Sequence, residues 1–169
     1  MNTARPAAAG ALLPHDLRPG DLHLLPAATH SYLTRATTSL REAVMAPDVP
    51  TRYACAHVAA LRAAAALLAA RAHPTPSRRR QKNAWVLLAE VAPELTEWAT
   101  FFAGGASKRA AAEAGSLRAV TEREADDLVR DADRFLAVVE SALGLVPHAP
   151  EMIRLAVAEP GWSERTGAA

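Results

Sequence analysis

The chain has 169 residues, enough for one domain to bury a core without disulfides or a structural metal. Half of the residues are apolar and 22% are charged, which excludes the composition of an intrinsically disordered chain. The formal net charge is only +1, so the overall charge of the chain is too small to attract a polyanion. Nucleic-acid binding would therefore need a local basic patch. Alanine dominates the apolar residues and aromatic residues make up only 5%, which favours helices over strands.

Metal, cofactor and membrane signals are weak in this sequence. Cys55 is the only cysteine, and the six histidines are not spaced as helical metal ligands. The chain has neither a phosphate-binding glycine loop nor a dinucleotide fingerprint, so we expect no metal and no cofactor. The most apolar stretch, Val58 to Ala70, is interrupted by Arg62 and is shorter than the ~20 residues that span a bilayer. With no signal-peptide pattern at the N-terminus, we expect a cytoplasmic protein that does not enter a membrane.

The N-terminal part of the chain predicts a flexible tail followed by a helix. Prolines and glycines interrupt residues 1–22, which we interpret as the tail. A first helix is predicted from Pro26 to Met45, because Leu33, Leu40 and Val44 share one helical face. Prolines 47 and 50 should end it.

A second helix is predicted from a cap at Thr51 to about Ala72. One side of this helix is apolar and rich in alanine, so another helix could approach it closely. The residues on that side are Tyr53, His57, Ala60, Ala64, Leu67 and Leu68.

The third helical region is predicted to begin in the basic run at residues 78–82 and to stop at Gly104-Gly105. Pro93 should kink or restart it, since proline lacks an N–H and crowds the preceding turn. Its apolar positions are Trp85, Leu88, Val91, Leu95, Trp98 and Phe102. A short helix from Ser107 to Ala114 should follow.

The fourth long helix has the clearest start, because Thr121 and Glu124 match a capping box. Its apolar stripe is Leu128, Ala132, Phe135, Val139 and Ala142, and Gly144 should end it. Two i,i+4 ion pairs are predicted on its other face, Asp126 with Arg130 and Arg123 with Asp127. A short last helix is predicted over 150–159, and residues 161–169 should form a C-terminal tail.

These elements predict an all-α fold: an up-and-down antiparallel bundle of four long helices plus short extra helices, over residues 23–160. Two features carry candidate chemistry. The densest positive patch could grip a phosphate backbone while its tryptophan stacks on a base, and it consists of Arg78, Arg79, Arg80, Lys82 and Trp85. The plainer interpretation of that patch is a solvated helix start beside a core tryptophan. His57 lies on an apolar stripe, which favours a hydrogen-bonded core histidine over a general base.

Four ordered segments carry a family resemblance. They are YACAHVAALRAAAALL at 53–68, NAW at 83–85, PELTEWA at 93–99 and READDLVRDA at 123–132. Together they resemble HEPN domains, and in particular an actinobacterial-type subfamily of unassigned activity, over about residues 28–145. The resemblance implies a helical bundle that is often dimeric, so a homodimer is expected. It also implies either a metal-independent RNase or an inactive RNA- or nucleotide-binding module.

The sequence departs from the pattern of the active family members, which carry R-x(4–6)-H near the start of a late helix. Here the late helix has Arg118 but no histidine at that spacing. A literal match, Arg52 to His57, lies within the second helix, where five residues at ~100° each put the two side chains on different faces. We therefore expect a non-catalytic module that binds RNA, DNA or a protein partner, with Arg62 a further contact.

Two alternatives remain open. The first is an RNase that uses His57 with Arg52 or Arg62 across a dimer. The second is a structural or adaptor subunit that acts through helix–helix interfaces.

Overall fold

The computed structural model describes residues 25–71 and 82–150, and all regular structure in these ranges is helical. This confirms the all-α prediction. The elements, in chain order, are α1 (Ala27–Met45), α2 (Val49–Arg71), α3 (Ala84–Val91), a 3-10 turn (Pro93–Leu95), α4 (Thr96–Gly104), α5 (Ala106–Glu113) and α6 (Glu122–Ala142). The predicted tails at 1–22 and 161–169 and the predicted last helix at 150–159 lie outside the described residues, apart from Pro150.

Three of the four predicted long helices are continuous: α1, α2 and α6 have 19, 23 and 21 residues. The fourth side of the bundle is instead formed by α3 and α4, which are separated by the 3-10 turn at Pro93. The break follows from proline chemistry, since Pro93 cannot donate the hydrogen bond that a continuous helix requires. Its carbonyl accepts from the Thr96 hydroxyl at 2.7 Å at the start of α4.

Helices α1 and α2 run antiparallel. The Thr29 hydroxyl, near the start of α1, donates to the Ala66 carbonyl near the end of α2 at 3.3 Å. Farther along, Arg62 of α2 donates to the Arg35 carbonyl of α1 at 3.1 Å. Because residues later in α1 meet residues earlier in α2, the two helices form a hairpin across the short connection at 46–48.

The remaining long elements alternate in the same way. His57 of α2 contacts Phe102 at the end of α4, whereas Arg71 pairs with Glu94 before the start of α4, so this segment runs antiparallel to α2. Helix α6 runs parallel to α2, because Arg52 pairs with its beginning and Arg71 donates to the Ala142 carbonyl at its end. The described helices therefore follow the predicted up-and-down order.

The core combines small and large side chains. Fully buried alanines line α2, which lets α1 and α6 approach closely: Ala56, Ala60, Ala63, Ala64 and Ala66. Aromatic rings fill the wider space between α3, α4 and α6. Trp85 stacks on Phe102 with ring centroids 5.2 Å apart, and Trp98 lies 5.4 Å from Phe135. The predicted stripe of α6 is confirmed as buried from Leu128 to Val139.

Helix α2 is long and apolar enough to cross a membrane by length and composition. It has 23 residues and extends beyond the apolar stretch Val58 to Ala70, on whose length the expectation of no membrane span was based. In the described fold it packs against α1, α3, α5 and α6, and half of its most apolar window is buried by these neighbours. These contacts account for its apolar composition, as they do for the core helix of a globular bundle.

Local chemistry explains where α2 and α6 begin. The predicted capping box of α6 is confirmed: the Thr121 hydroxyl accepts from the Glu124 N–H at 3.2 Å, and the Glu124 carboxylate accepts from the Thr121 N–H at 2.8 Å. The predicted cap at Thr51 was wrong. Helix α2 begins at Val49, and the Asp48 carboxylate before it accepts from the Thr51 N–H at 2.9 Å, which lowers the pKa of Asp48. Pro50 fits this first turn, where proline has no helical partner to lose.

The ion pairs on α6 differ in part from the prediction. Arg123 and Asp127 pair at 3.9 Å as predicted. Asp126, however, pairs with Arg52 of α2 at 2.7 Å, and Arg130 pairs with Asp127. The i,i+4 rule does not predict the pair between Arg52 and Asp126, because the rule considers only partners on the same helix.

Candidate functional site

His57 is sealed inside the bundle, with about 1% of its surface exposed. Its Nε2 atom lies 2.9 Å from the Phe102 carbonyl oxygen. Since a carbonyl only accepts, Nε2 carries the proton and donates it. The rings of Trp85 and Phe102 contact the imidazole edge-on, with centroids 5.9 and 6.0 Å away. Burial lowers the pKa of His57, so the ring is neutral at neutral pH.

The second ring nitrogen of His57 has no hydrogen-bond partner in the described structure. With Nε2 protonated, Nδ1 is the basic atom, and it is the one that a general base would use. A general base must reach the proton that it removes, directly or through one water. Buried among aromatic rings, Nδ1 has no path to a polymer substrate. The geometry therefore favours a core role for His57, as the sequence pattern does.

The RNase alternative needs an arginine beside His57, and the structure gives both candidates other partners. Arg52 forms its ion pair with Asp126 of α6 at 2.7 Å. Arg62 lies against α1, where it donates to the Ser39 hydroxyl at 2.5 Å as well as to a backbone carbonyl. Within the described chain, the three residues of that alternative are held at separate contacts and do not form one site.

Trp85 belongs to the core and not to the basic patch. The Asn83 side chain caps α3 by accepting from the Trp85 backbone N–H at 3.0 Å. The residue is about 3% exposed and its ring stacks on Phe102. The prediction that Trp85 stacks on a base is therefore wrong for this fold, because the ring has no free face.

The basic run lies at the connection between α2 and α3. Arg78, Arg79 and Arg80 fall outside the described residues, and Lys82 is the described member of the patch. Helix α3 begins at Ala84, so Lys82, the described end of the basic run, lies before the helix. For this residue, the prediction that the helix starts within the basic run was wrong. Lys82 is exposed and pairs with Glu90 of α3.

A groove of about 540 Å³ lies between α4, α5 and α6, at the end of the bundle where α2 begins. Its rim carries three ion pairs: Lys108 with Glu124, Arg130 with Asp127, and Arg134 with Asp131. The Lys108 ammonium, followed by hydrogen bonds from Thr121, lowers the pKa of Glu124 to about 2. Every cation of this rim is thus matched by a carboxylate, which leaves little attraction for a phosphate backbone.

No pattern in the sequence predicts the cluster around His148. Its Nε2 lies 2.9 Å from the Asp133 carboxylate and its Nδ1 lies 2.7 Å from that of Glu140, which also accepts from the His148 backbone N–H. The hydrogen bond to Asp133, then that to Glu140, raises the pKa of His148 to about 9. The imidazolium is therefore the prevailing form at neutral pH. No group of three or more acidic, histidine or cysteine side chains among the described residues is placed to hold a metal ion.

Comparison with known proteins identifies a family for this chain. No curated protein and no solved structure matches the chain. The family model described as SAV_6107-like HEPN matches residues 43–140, from the end of α1 to the last turns of α6. This range covers more than half of the chain and includes the four segments on which the resemblance to HEPN domains rests. The chain is a member of the SAV_6107-like HEPN family.

Proposed function

We propose that this protein is a non-catalytic HEPN module that binds single-stranded nucleic acid through the basic connection between α2 and α3. The contacts are Arg78, Arg79, Arg80 and Lys82. The observation that carries the proposal is the burial of His57, because it removes the histidine of the R-x(4–6)-H match within the described helices; the other literal match, Arg18 to His23, lies outside the described residues. With the histidine of this arrangement sealed in the core, general acid–base chemistry at that position has no access to RNA, whereas binding through surface cations does not need it.

The charge distribution selects the basic connection over the other cationic surfaces. Residues 72–82 contain four cations among their last five residues and no acidic residue. On α6, by contrast, the arginines are paired with neighbouring aspartates. Phosphates release counterions only where a cation is available to replace them. Lys82 is already paired with Glu90, so the expected gain comes mainly from the three arginines at 78–80.

The burial of Trp85 determines the kind of binding. Without a stacking ring, affinity comes mainly from phosphate contacts, which carry no sequence information. Binding should therefore be strongly dependent on salt and tolerant of sequence. For a single strand, three phosphate contacts correspond to a slope of about −2 in a plot of log K against log salt concentration.

The test compares the wild type with a triple charge reversal, Arg78, Arg79 and Arg80→Glu. Affinity for labelled single-stranded RNA and DNA is measured by fluorescence anisotropy at several salt concentrations. The matched control reverses three exposed arginines elsewhere, Arg35, Arg118 and Arg123→Glu, which changes the net charge by the same amount. We expect the triple charge reversal to lose most of its affinity, and the slope of log K against log salt concentration to become smaller in magnitude by about 2. The control variant should lose much less of both.

Two results would overturn the proposal. Equal losses in the two variants would show that binding follows net charge and not the basic connection. Absence of binding in the wild type would remove the nucleic-acid function altogether. The same RNA, incubated with wild type and with His57→Gln, tests the lack of catalysis: cleavage by the folded wild type that is lost in the variant would restore the RNase alternative.

A further inference from the structure

Two aromatic rings and two carboxylates line a second pocket, between α4 and α6. We infer that this pocket binds the guanidinium group of an arginine side chain that a peptide presents. The pocket has a volume of about 300 Å³ and is lined by Glu97, Trp98, Phe101 and Asp131. None of these residues belongs to the basic connection, so the inference does not depend on nucleic-acid binding.

The antiparallel course of α4 and α6 brings these four side chains together. Trp98 of α4 meets Phe135 of α6, with ring centroids 5.4 Å apart. Because the two helices run in opposite directions, a residue about one turn later in α4 meets a residue one turn earlier in α6. Phe101 and Asp131 occupy those positions, and both line the pocket. Glu97 precedes Phe101 by four residues and therefore shares its face of α4.

The two aromatic rings form adjoining walls of the pocket. Trp98 and Phe101 are nearly perpendicular, with an interplanar angle of 88° and centroids 6.4 Å apart. The core fixes both rings, because Trp98 stacks on the buried Phe102 at 6.0 Å and Phe101 meets the same ring edge-on at 5.0 Å. Walls that are ordered before binding lower the entropic cost of taking up a ligand. The faces of such rings attract a cation through the ring quadrupole, and tryptophan does so most strongly.

The two carboxylates determine the charge of the ligand. Among the described residues, no lysine or arginine lines the pocket, so Glu97 and Asp131 attract a cation and repel a phosphate. Glu97 is exposed and forms no ion pair with another residue of the described ranges. Asp131 forms one ion pair, at 3.6 Å with Arg134, which uses one of its two oxygens. Both carboxylates can therefore accept hydrogen bonds from a ligand.

This combination of groups favours a guanidinium over other cations. A guanidinium is planar, stacks on an aromatic ring and presents N–H groups in pairs that fit a carboxylate. A quaternary ammonium has no N–H, so it would leave both carboxylates without a hydrogen-bond donor. A lysine ammonium donates hydrogen bonds, but it is strongly hydrated and does not stack.

The size of the pocket and its surroundings indicate a side chain of a peptide and not a free small molecule. About 300 Å³ is at the lower end of small-molecule pockets, and Phe101 is 50% exposed, so a ligand is not enclosed. The groove of about 540 Å³ shares Phe101 and Asp131 with the pocket. A peptide with its arginine in the pocket therefore continues into this groove, where paired charges of both signs offer donors and acceptors to the peptide backbone.

The test titrates the isotope-labelled full chain with a capped pentapeptide that has arginine at its centre and glycine elsewhere. Two control peptides replace the arginine by lysine or by citrulline, which has the shape of arginine without its charge. Backbone amide shifts are followed by NMR. We expect saturable shifts at residues 97–101 and 131, and about tenfold higher affinity for the arginine peptide than for the citrulline peptide. The affinity for the lysine peptide should be several-fold lower than for the arginine peptide.

Two variants locate the binding. Phe101→Leu removes one wall and Glu97→Gln removes one charge, and each should weaken binding of the arginine peptide about 3- to 10-fold. The matched controls remove the same groups elsewhere: Tyr32→Leu changes an exposed aromatic residue of α1, and Glu122→Gln changes an exposed carboxylate on the opposite face of α6 from Asp131. The controls should bind like the wild type, and the amide spectrum shows that each variant is folded. Equal losses in test and control variants would overturn the inference.

Other outcomes would overturn the inference in different ways. Absence of saturable shifts in the wild type would remove the site, and equal affinity for arginine and for either control peptide would remove the recognition of a guanidinium. A capped single arginine that binds as tightly as the pentapeptide, with no shifts at Lys108 and Arg134 in the groove, would assign the pocket to a small guanidino compound. Shifts of the same amides on dilution of the protein alone would show that a second copy fills the pocket.

Discussion

The His148 cluster predicts a stability profile that falls as pH rises above neutrality. The pKa of His148 is raised from its ordinary value of 6.5 to about 9, so the folded state holds a proton that the unfolded state releases. The contribution of this group is fully present below pH 6.5 and is lost as the pH rises through 9. The cluster closes the chain after α6 onto that helix, so we expect the loss to loosen this closure first.

The magnitude follows from the shift and from the exposure of the cluster. At face value, a shift from 6.5 to about 9 corresponds to roughly 3 kcal/mol. The side chains of His148, Asp133 and Glu140 are 8%, 15% and 13% exposed, so water still reaches the carboxylates. We therefore expect about 1–2 kcal/mol after screening by solvent.

The assay is urea unfolding between pH 6 and pH 10 for the wild type and His148→Gln. The variant should be less stable by about 1–2 kcal/mol at pH 6, and the difference should shrink as the pH passes 9. An NMR titration of the His148 ring gives an independent measurement, and Asp133→Asn should lower its pKa. Curves that stay parallel over the whole range, or a ring that titrates near 6.5 in the wild type, would refute the reasoning.

His57 affects the stability of the fold at the acidic end of the pH range. Burial lowers its pKa below the ordinary value of 6.5, so its neutral form is part of the folded state. The unfolded chain takes up this proton first, and stability should therefore decline as the pH falls below 6.5. In His148→Gln, the decline of stability below pH 6.5 should be unchanged. One experiment therefore separates the effects of the two histidines.

Two further predictions concern packing and capping. A Cβ atom at Gly105 would lie 2.9 Å from the Tyr53 hydroxyl, whereas one at Gly104 meets nothing within 4 Å. Gly105→Ala should therefore be less stable than its matched control Gly104→Ala by about 1–2 kcal/mol in thermal or urea unfolding, and equal stability of the two would contradict the close approach. Thr121→Ala removes the side-chain cap of α6 and should cost about 1 kcal/mol, with Thr38→Ala, an exposed threonine within α1, as the comparison; no difference between these two would argue against the capping box.

Local signals in the sequence were sufficient for most elements and for one of the helix starts. The capping box at Thr121 and the periodic stripe of α6 involve residues at most a few turns apart, so pattern alone predicts them. The start of α2 shows the limit of such signals. Asp48 and Thr51 are both good capping residues, and only the backbone geometry shows that Asp48 performs the role.

The candidate site depended on contacts that sequence spacing does not encode. The positions of Trp85 and His57 on apolar stripes predict burial, but not that the two rings meet each other and Phe102. The pairing of Arg52 with Asp126 joins residues 74 positions apart. His148 lies in a proline-rich stretch with no periodicity, so nothing local predicts that it reaches back to α6.

The basic connection and the ion pair between Arg52 and Asp126 lie at opposite ends of α2. Arg52 and Arg71, next to the basic connection, are separated by about 28 Å of helix. They have different partners, and effects at sites this far apart usually add. Asp126→Asn, which removes the charge that pairs with Arg52, should therefore leave the salt slope of nucleic-acid binding unchanged in the anisotropy assay. A changed slope would instead show that α2 couples its two ends, and the two surfaces would then have to be treated as one site.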